Sequence, residues 1–150
     1  MRKIFSIRNL PVEVDLVLLL IRLVCGYAFV LHGSGMIFNP FHWMGDESSV
    51  PAIFQALAAV SEFGGGFSLI AGFLTRLGAF GIGSTMAVAL YMHRFVWGDP
   101  FVNLSGGSSY ELASVFLSIA LLLVISGPGQ FSLDRIIFGT KRHDLTIPLR

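Results

Sequence analysis

Six ionisable side chains stand where an apolar sequence should not tolerate them. Arg22 and His32 lie in one long apolar run, Glu62 in a second, His93 and Arg94 late in a third, and Glu111 at the head of a fourth. A charge inside a bilayer costs about 2.5 to 3.5 kcal/mol on insertion scales, so such groups face a protein interior or a watery cavity. Imidazole and carboxylate can relay protons or hydrogen-bond a quinone. The histidines also suit Zn, Cu or Fe, as a bare metal or as haem. Neither has a local motif behind it, because no HxxxH, HExxH or CxxCH occurs. The competing reading is structural: a polar network that fixes how the helices register.

The composition says what must position these groups. Of 150 residues, 54% are hydrophobic and 13% charged, and the mean hydropathy is +0.76. A soluble domain carries about 25% charged residues. The length allows one domain. The net charge of +1 gives no broad electrostatic signal for nucleic acid. Cys25 is the only cysteine, which excludes an intrachain disulfide, a CxxC redox pair and a cysteine-rich zinc site.

A spanning helix needs about 20 mostly apolar residues. The pattern predicts an all-α, integral membrane four-helix bundle, with spans at 15–38, 51–74, 77–97 and 109–126 in a single domain over residues 1–150. The first run is too long for a signal-peptide core and no small-residue cleavage site follows, so it reads as a retained helix. Thr75-Arg76 makes the second and third spans a tight hairpin. Gly127-Pro128-Gly129 stops the fourth. Beyond it, Ser132 and the apolar Leu133, Ile136 and Ile137 predict a short interfacial helix with a basic end.

Basic residues set orientation. Arg2, Lys3, Arg8, Arg76, Arg135, Lys141, Arg142 and Arg150 fall on one side of this arrangement, against Arg94 on the other. Both termini are therefore expected in the cytoplasm, with a multi-pass chain in a bacterial inner membrane. The links at 39–50 and 98–108 face outward.

At 100° per residue, each helix groups its ionisable residue with small ones. Arg22, Cys25, Gly26, Phe29, His32, Gly33 and Met36 share one arc. Gln55, Ala58, Ala59, Glu62, Gly65, Gly66, Leu69 and Gly72 share another. Ala79, Met86, Ala89 and His93 align in the third span, and Glu111, Ser114, Ser118 and Leu122 in the fourth. Small residues let helix backbones approach, which places these faces inward. From the outer ends, His93 and Glu111 lie roughly 3 to 6 Å down, His32 about 9 Å and Glu62 about 16 Å, with Arg22 deeper. The expected result is a polar intramembrane site of Arg22, His32, Glu62, His93 and Glu111, with an Arg22–Glu62 ion pair at its base.

These motifs together resemble the DoxX family. The resemblance rests on Arg22-Leu-Val-x-Gly26 with His32-Gly33, and on Glu62-x-Gly64-Gly65 with Gly72-x-x-Thr75-Arg76. His93, Glu111 and Gly127-Pro128-Gly129-x-x-Ser132-Leu133-Asp134 complete it, over residues 15–138. It implies four transmembrane helices and a membrane oxidoreductase subunit, linked to quinone or to a redox partner protein. The family takes its name from similarity to a subunit of a thiosulfate:quinone oxidoreductase. The other function class is non-enzymatic: an accessory, scaffold or small-solute transport protein, alone or as a homo-oligomer in the lipid bilayer.

Overall fold

The computed structural model describes residues 10–139. Arg2, Lys3, Arg8, Lys141, Arg142 and Arg150, on which the orientation leans, lie outside the described residues. So does the basic end expected for the last helix.

The described chain is all-α. Its helices are α1 (Val12–Ile37), α2 (Ala52–Ala71), α3 (Thr75–Tyr91), α4 (Glu111–Ser126) and the short α5 (Leu133–Phe138). A wider turn at Met92–Val96 continues α3, closed by the Trp97 N–H donating to the Met92 carbonyl at 2.9 Å. Helices α1 and α2 are long and apolar enough to cross a membrane, and α4 is a shorter apolar helix.

The turn between α2 and α3 lies earlier in the chain than the sequence predicts, at Gly72, Phe73 and Leu74. Gly72 ends α2 in the left-handed conformation (φ 65°), where a Cβ would be strained. The N–H groups of Gly72 and Phe73 both reach the Ser68 carbonyl. Thr75 and Arg76, expected to form the break itself, instead open α3. The cause is a remote cap: the Asp134 carboxylate accepts the N–H groups of Leu74 (2.7 Å) and Thr75 (3.0 Å). Asp134 thus satisfies donors that the first turn of a helix leaves free.

Glycines set the spacing of the helices. A Cβ at Gly66 would lie 2.7 Å from the Val30 nitrogen and 2.8 Å from the Gly26 carbonyl oxygen on α1. At Gly33 it would meet the backbone of Phe63. Gly65 faces the other way, against Ile82 and the Gly78 carbonyl of α3, and Gly83 brings α3 onto Ala120 of α4. Helix α1 therefore packs on α2, α2 on α3 and α3 on α4, while the backbones of α1 and α4 approach at few points. The core is Leu18, Cys25, Phe29, Leu69, Ala79, Ile82, Ala120 and Leu123.

Large apolar side chains cover the outside: Leu20, Val24, Tyr27 and Leu31 on α1, Leu57, Val60 and Phe67 on α2, Phe80 and Val88 on α3, Leu121 and Ile125 on α4. The buried residues include Asp15, Arg22, Gln55, Glu62, Thr75 and Asp134. Polar groups inside and apolar ones outside is the arrangement of a protein solvated by lipid.

Helix α4 turns a different face inward from the one its serines suggest. Ala113, Ala120 and Leu123 are buried, whereas Glu111, Ser118 and Leu122 are exposed. The serines need no partner helix. Ser114 Oγ donates to the Tyr110 carbonyl at 2.8 Å and Ser118 Oγ to the Ser114 carbonyl at 2.9 Å, satisfying each hydroxyl within its own helix.

Candidate functional site

The structure distributes the expected polar residues in tiers. One tier lies at the end where α2 turns into α3. Arg22, 1% exposed, donates from Nε to the Leu69 carbonyl at 2.9 Å. Its Nη1 donates to the carbonyls of Pro128 (2.7 Å) and Phe131 (2.9 Å), and its Nη2 to that of Ile70 (3.4 Å). The guanidinium fork thus answers the unpaired carbonyls at the end of α2 and in the segment after α4. The expected Arg22–Glu62 ion pair is not made. The Arg22 side chain points back toward the N-terminus of its own helix, as long helical side chains do, and so away from the level of Glu62.

Two carboxylates outside the expected polar site complete this tier. Asp134 caps α3 as described and donates its own N–H to the Gly72 carbonyl at 2.8 Å. Asp15, 1% exposed, accepts the Gln130 N–H on Oδ1 at 3.0 Å, while its Oδ2 is enclosed without a hydrogen bond. Ser132 donates to the Gly129 carbonyl at 2.8 Å and accepts the Arg135 N–H at 3.2 Å, capping α5. The run Gly127–Asp134 is therefore stitched to α1 and to the α2–α3 turn. Its Gly-Pro-Gly signal was legible as a stop; its long-range partners had no local signal.

The middle tier holds Glu62 and His32. On α2, Gly66 faces α1 and Gly65 faces α3. Glu62 lies between those directions at 100° per residue, on the face of α2 that turns toward α1 and α3. It is 7% exposed. Among the described residues its carboxyl has no hydrogen bond or ion pair, yet neither oxygen is sealed from open space. Gly33 packs on Phe63, and His32 and Glu62 each adjoin that contact in sequence, so they share one depth. His32 is exposed, 6.3 Å between ring centroids from the buried Phe29. Phe29 in turn meets Phe116 of α4 at 4.8 Å. His32 therefore stands at the rim of α1 on the side of α4, beside the interior and not within it.

The third tier lies at the opposite end. His93 is twelve residues beyond Gly81, the α3 residue packed on Ser61, or roughly 18 Å along the helix. His93 Nδ1 is 2.7 Å from the Asp99 carboxylate, and the Asp99 N–H donates to the His93 carbonyl at 2.8 Å. Trp97 stacks edge-on against the imidazole at 4.7 Å. Arg94 lies over the Tyr110 ring at 5.8 Å, and Glu111 is exposed beside it. Nearby, Gln55 accepts the Met44 N–H at 3.1 Å and donates to the Val50 carbonyl at 2.9 Å. With Trp43 Nε1 donating to the Gln55 carbonyl at 2.9 Å, this fastens the 38–51 link to α2.

The five expected site residues do not meet in one cluster. Arg22 is committed to backbone carbonyls, and His93 to Asp99 at the far end. Only His32 and Glu62 share a level. Among the described residues no three His, Cys, Asp or Glu side chains gather to hold a metal ion. A carboxyl such as Glu62 donates a hydrogen bond when protonated and accepts when ionised. In an apolar interior either form is costly without a partner.

Comparison with known proteins adds an independent line. A match to the DoxX family covers residues 17–94. An uncharacterized protein of Haemophilus influenzae is 32% identical over 120 residues, 79% of this chain and 88% of that protein. The inner membrane protein YqjF of Escherichia coli is 31% identical over 129 residues, 82% of this chain and 93% of that protein. No solved structure matches the chain.

Proposed function

The chain belongs to the DoxX family, and we propose that it is an inner-membrane redox subunit whose interior carboxyl, Glu62, binds and exchanges protons with a quinone head group. In this reading α1 to α4 cross the bilayer as a bundle, with both termini in the cytoplasm. The eight-to-one division of basic residues supports that orientation. The outward apolar side chains and the inner-membrane relative support the placement.

The observation that carries the reading is the state of Glu62. Buried polar groups in native proteins find partners. Arg22, Asp134 and Gln55 do so, Asp15 does through one of its two oxygens, and neither oxygen of Glu62 does among the described residues. A ligand group is the partner that such a carboxyl lacks. Protonated Glu62 would donate to a quinone carbonyl, and ionised Glu62 would accept from a quinol hydroxyl. Phe29 and Phe116 give the interior aromatic walls, as suits a flat ring with polar ends. Electrons would pass to a redox partner protein, since the side chains here handle only protons.

The second reading is a non-enzymatic accessory, scaffold or small-solute transport protein. The end formed by Arg22, Asp15 and Asp134 favours it, because those buried charges hold backbone and nothing else. Extraction of quinone from purified protein, and its titration back, separates the two. Bound quinone that Glu62→Gln no longer retains supports the redox reading. Quinone-free protein whose thermal stability rises with a polar solute supports the second.

A further inference from the structure

Resting on that reading, we infer that the ligand enters sideways from the lipid between α1 and α4, and that His32 is its second polar anchor, opposite Glu62. Three pairs of neighbouring helices are spaced by glycine contacts, whereas the backbones of α1 and α4 approach at few points and side chains fill the seam between them. A ring contact crosses this seam, Phe29 against Phe116 at 4.8 Å and 59° between planes. At its lip stands His32, exposed on a helix apolar enough to cross a membrane. Such a group facing lipid alone is costly.

His32 and Glu62 lie at the same depth, one at the lip and one inside. The carboxyl oxygens retain contact with open space although the residue is 93% buried. Two polar ends separated by aromatic walls fit a planar, lipid-soluble ring with an oxygen at each end, the class that includes benzoquinones. The imidazole meets one oxygen and the carboxyl the other. Parting of the two phenylalanines admits the ring. Hydrophobic tails of such molecules remain in lipid, where the seam opens, so the ligand need never cross water.

The test uses the full-length protein in detergent with a short-tailed benzoquinone as probe. Phe29 and Phe116 are both replaced by Cys in a Cys25→Ser background, and the probe affinity of this unjoined variant, weakened by the lost aromatic walls, is the reference. Joined by a short reductant-cleavable thiol linker, it should bind at least about tenfold more weakly than that reference, and reductant should restore the reference value. Equal binding with the linker in place overturns the lateral route. Should the double variant not fold, or not bind the probe even unjoined, His32→Leu carries the test. Its stability should hold while probe affinity falls about tenfold, the loss of roughly one hydrogen bond. Unchanged affinity overturns the anchor. Absence of probe binding by the wild-type protein overturns the quinone reading itself, and this inference with it.

Discussion

Asp134 caps a helix that begins 59 residues before it. Its carboxylate receives the Leu74 N–H at 2.7 Å and the Thr75 N–H at 3.0 Å. Leu74 there adopts a left-handed backbone (φ 50°), a conformation costly for a branched residue and kept only where surroundings enforce it. The cap is that enforcement. Asp134→Ala removes it and leaves the part-buried Leu74 N–H and the buried Thr75 N–H unpaired. We expect a loss of about 2 to 4 kcal/mol, with Asp134→Asn intermediate because one oxygen remains. Thermal unfolding in a single detergent measures both.

Arg22 and Glu62 should be energetically independent. Arg22→Lys keeps the charge but cannot serve four carbonyls at once, and we expect it to cost about 2 to 4 kcal/mol. Glu62→Gln breaks no hydrogen bond in the described structure and should change stability by less than about 1 kcal/mol. In a double-mutant cycle the coupling should fall within about 0.5 kcal/mol of zero. A coupling of several kcal/mol would restore the ion pair that the sequence led one to expect.

Neighbouring glycines on α2 should respond in opposite ways. A Cβ at Gly66 meets the Val30 nitrogen and the Gly26 carbonyl, whereas one at Gly64 meets nothing within 4 Å. Gly66→Ala should destabilise by about 1 to 3 kcal/mol. Gly64→Ala should be neutral or stabilise by up to about 1 kcal/mol through helix propensity. Equal melting temperatures for the two would contradict the α1–α2 contact.

The inward faces of α1 and α2 were legible in the sequence because small residues and charges coincide there. Arg22, Gly26, Gly33, Gln55, Glu62, Gly65 and Gly66 are all buried. The face of α4 was not legible. A serine can satisfy its hydroxyl on the preceding turn, so Ser114 and Ser118 carried no directional information. Angular position also could not distinguish the rim of a helix from its centre, which is why His32 was expected inside and stands exposed. Asp15, Asp134 and Gln55 act through backbone groups more than ten residues away in space-filling turns and links. No short pattern encodes such partners. The resemblance motifs gathered around Gly72 and Gly127–Asp134 turn out to be architectural, leaving Glu62 as the chemically unassigned member.

Orientation has its own check. Fusions of alkaline phosphatase and of green fluorescent protein after Arg150 should give an inactive phosphatase and a fluorescent cell, since both termini are expected inside. Active phosphatase would reverse the assignment, and with it the side of the membrane that His93 and Asp99 face.

The most direct measurement of the central claim compares wild type and Glu62→Gln for binding of a short-tailed quinone, with thermal stability recorded on the same samples. The account predicts that the two proteins melt within a few degrees of each other, that wild type binds, and that the variant's affinity falls at least about tenfold. Matching affinities at matching stability, or no binding by wild type, would contradict it.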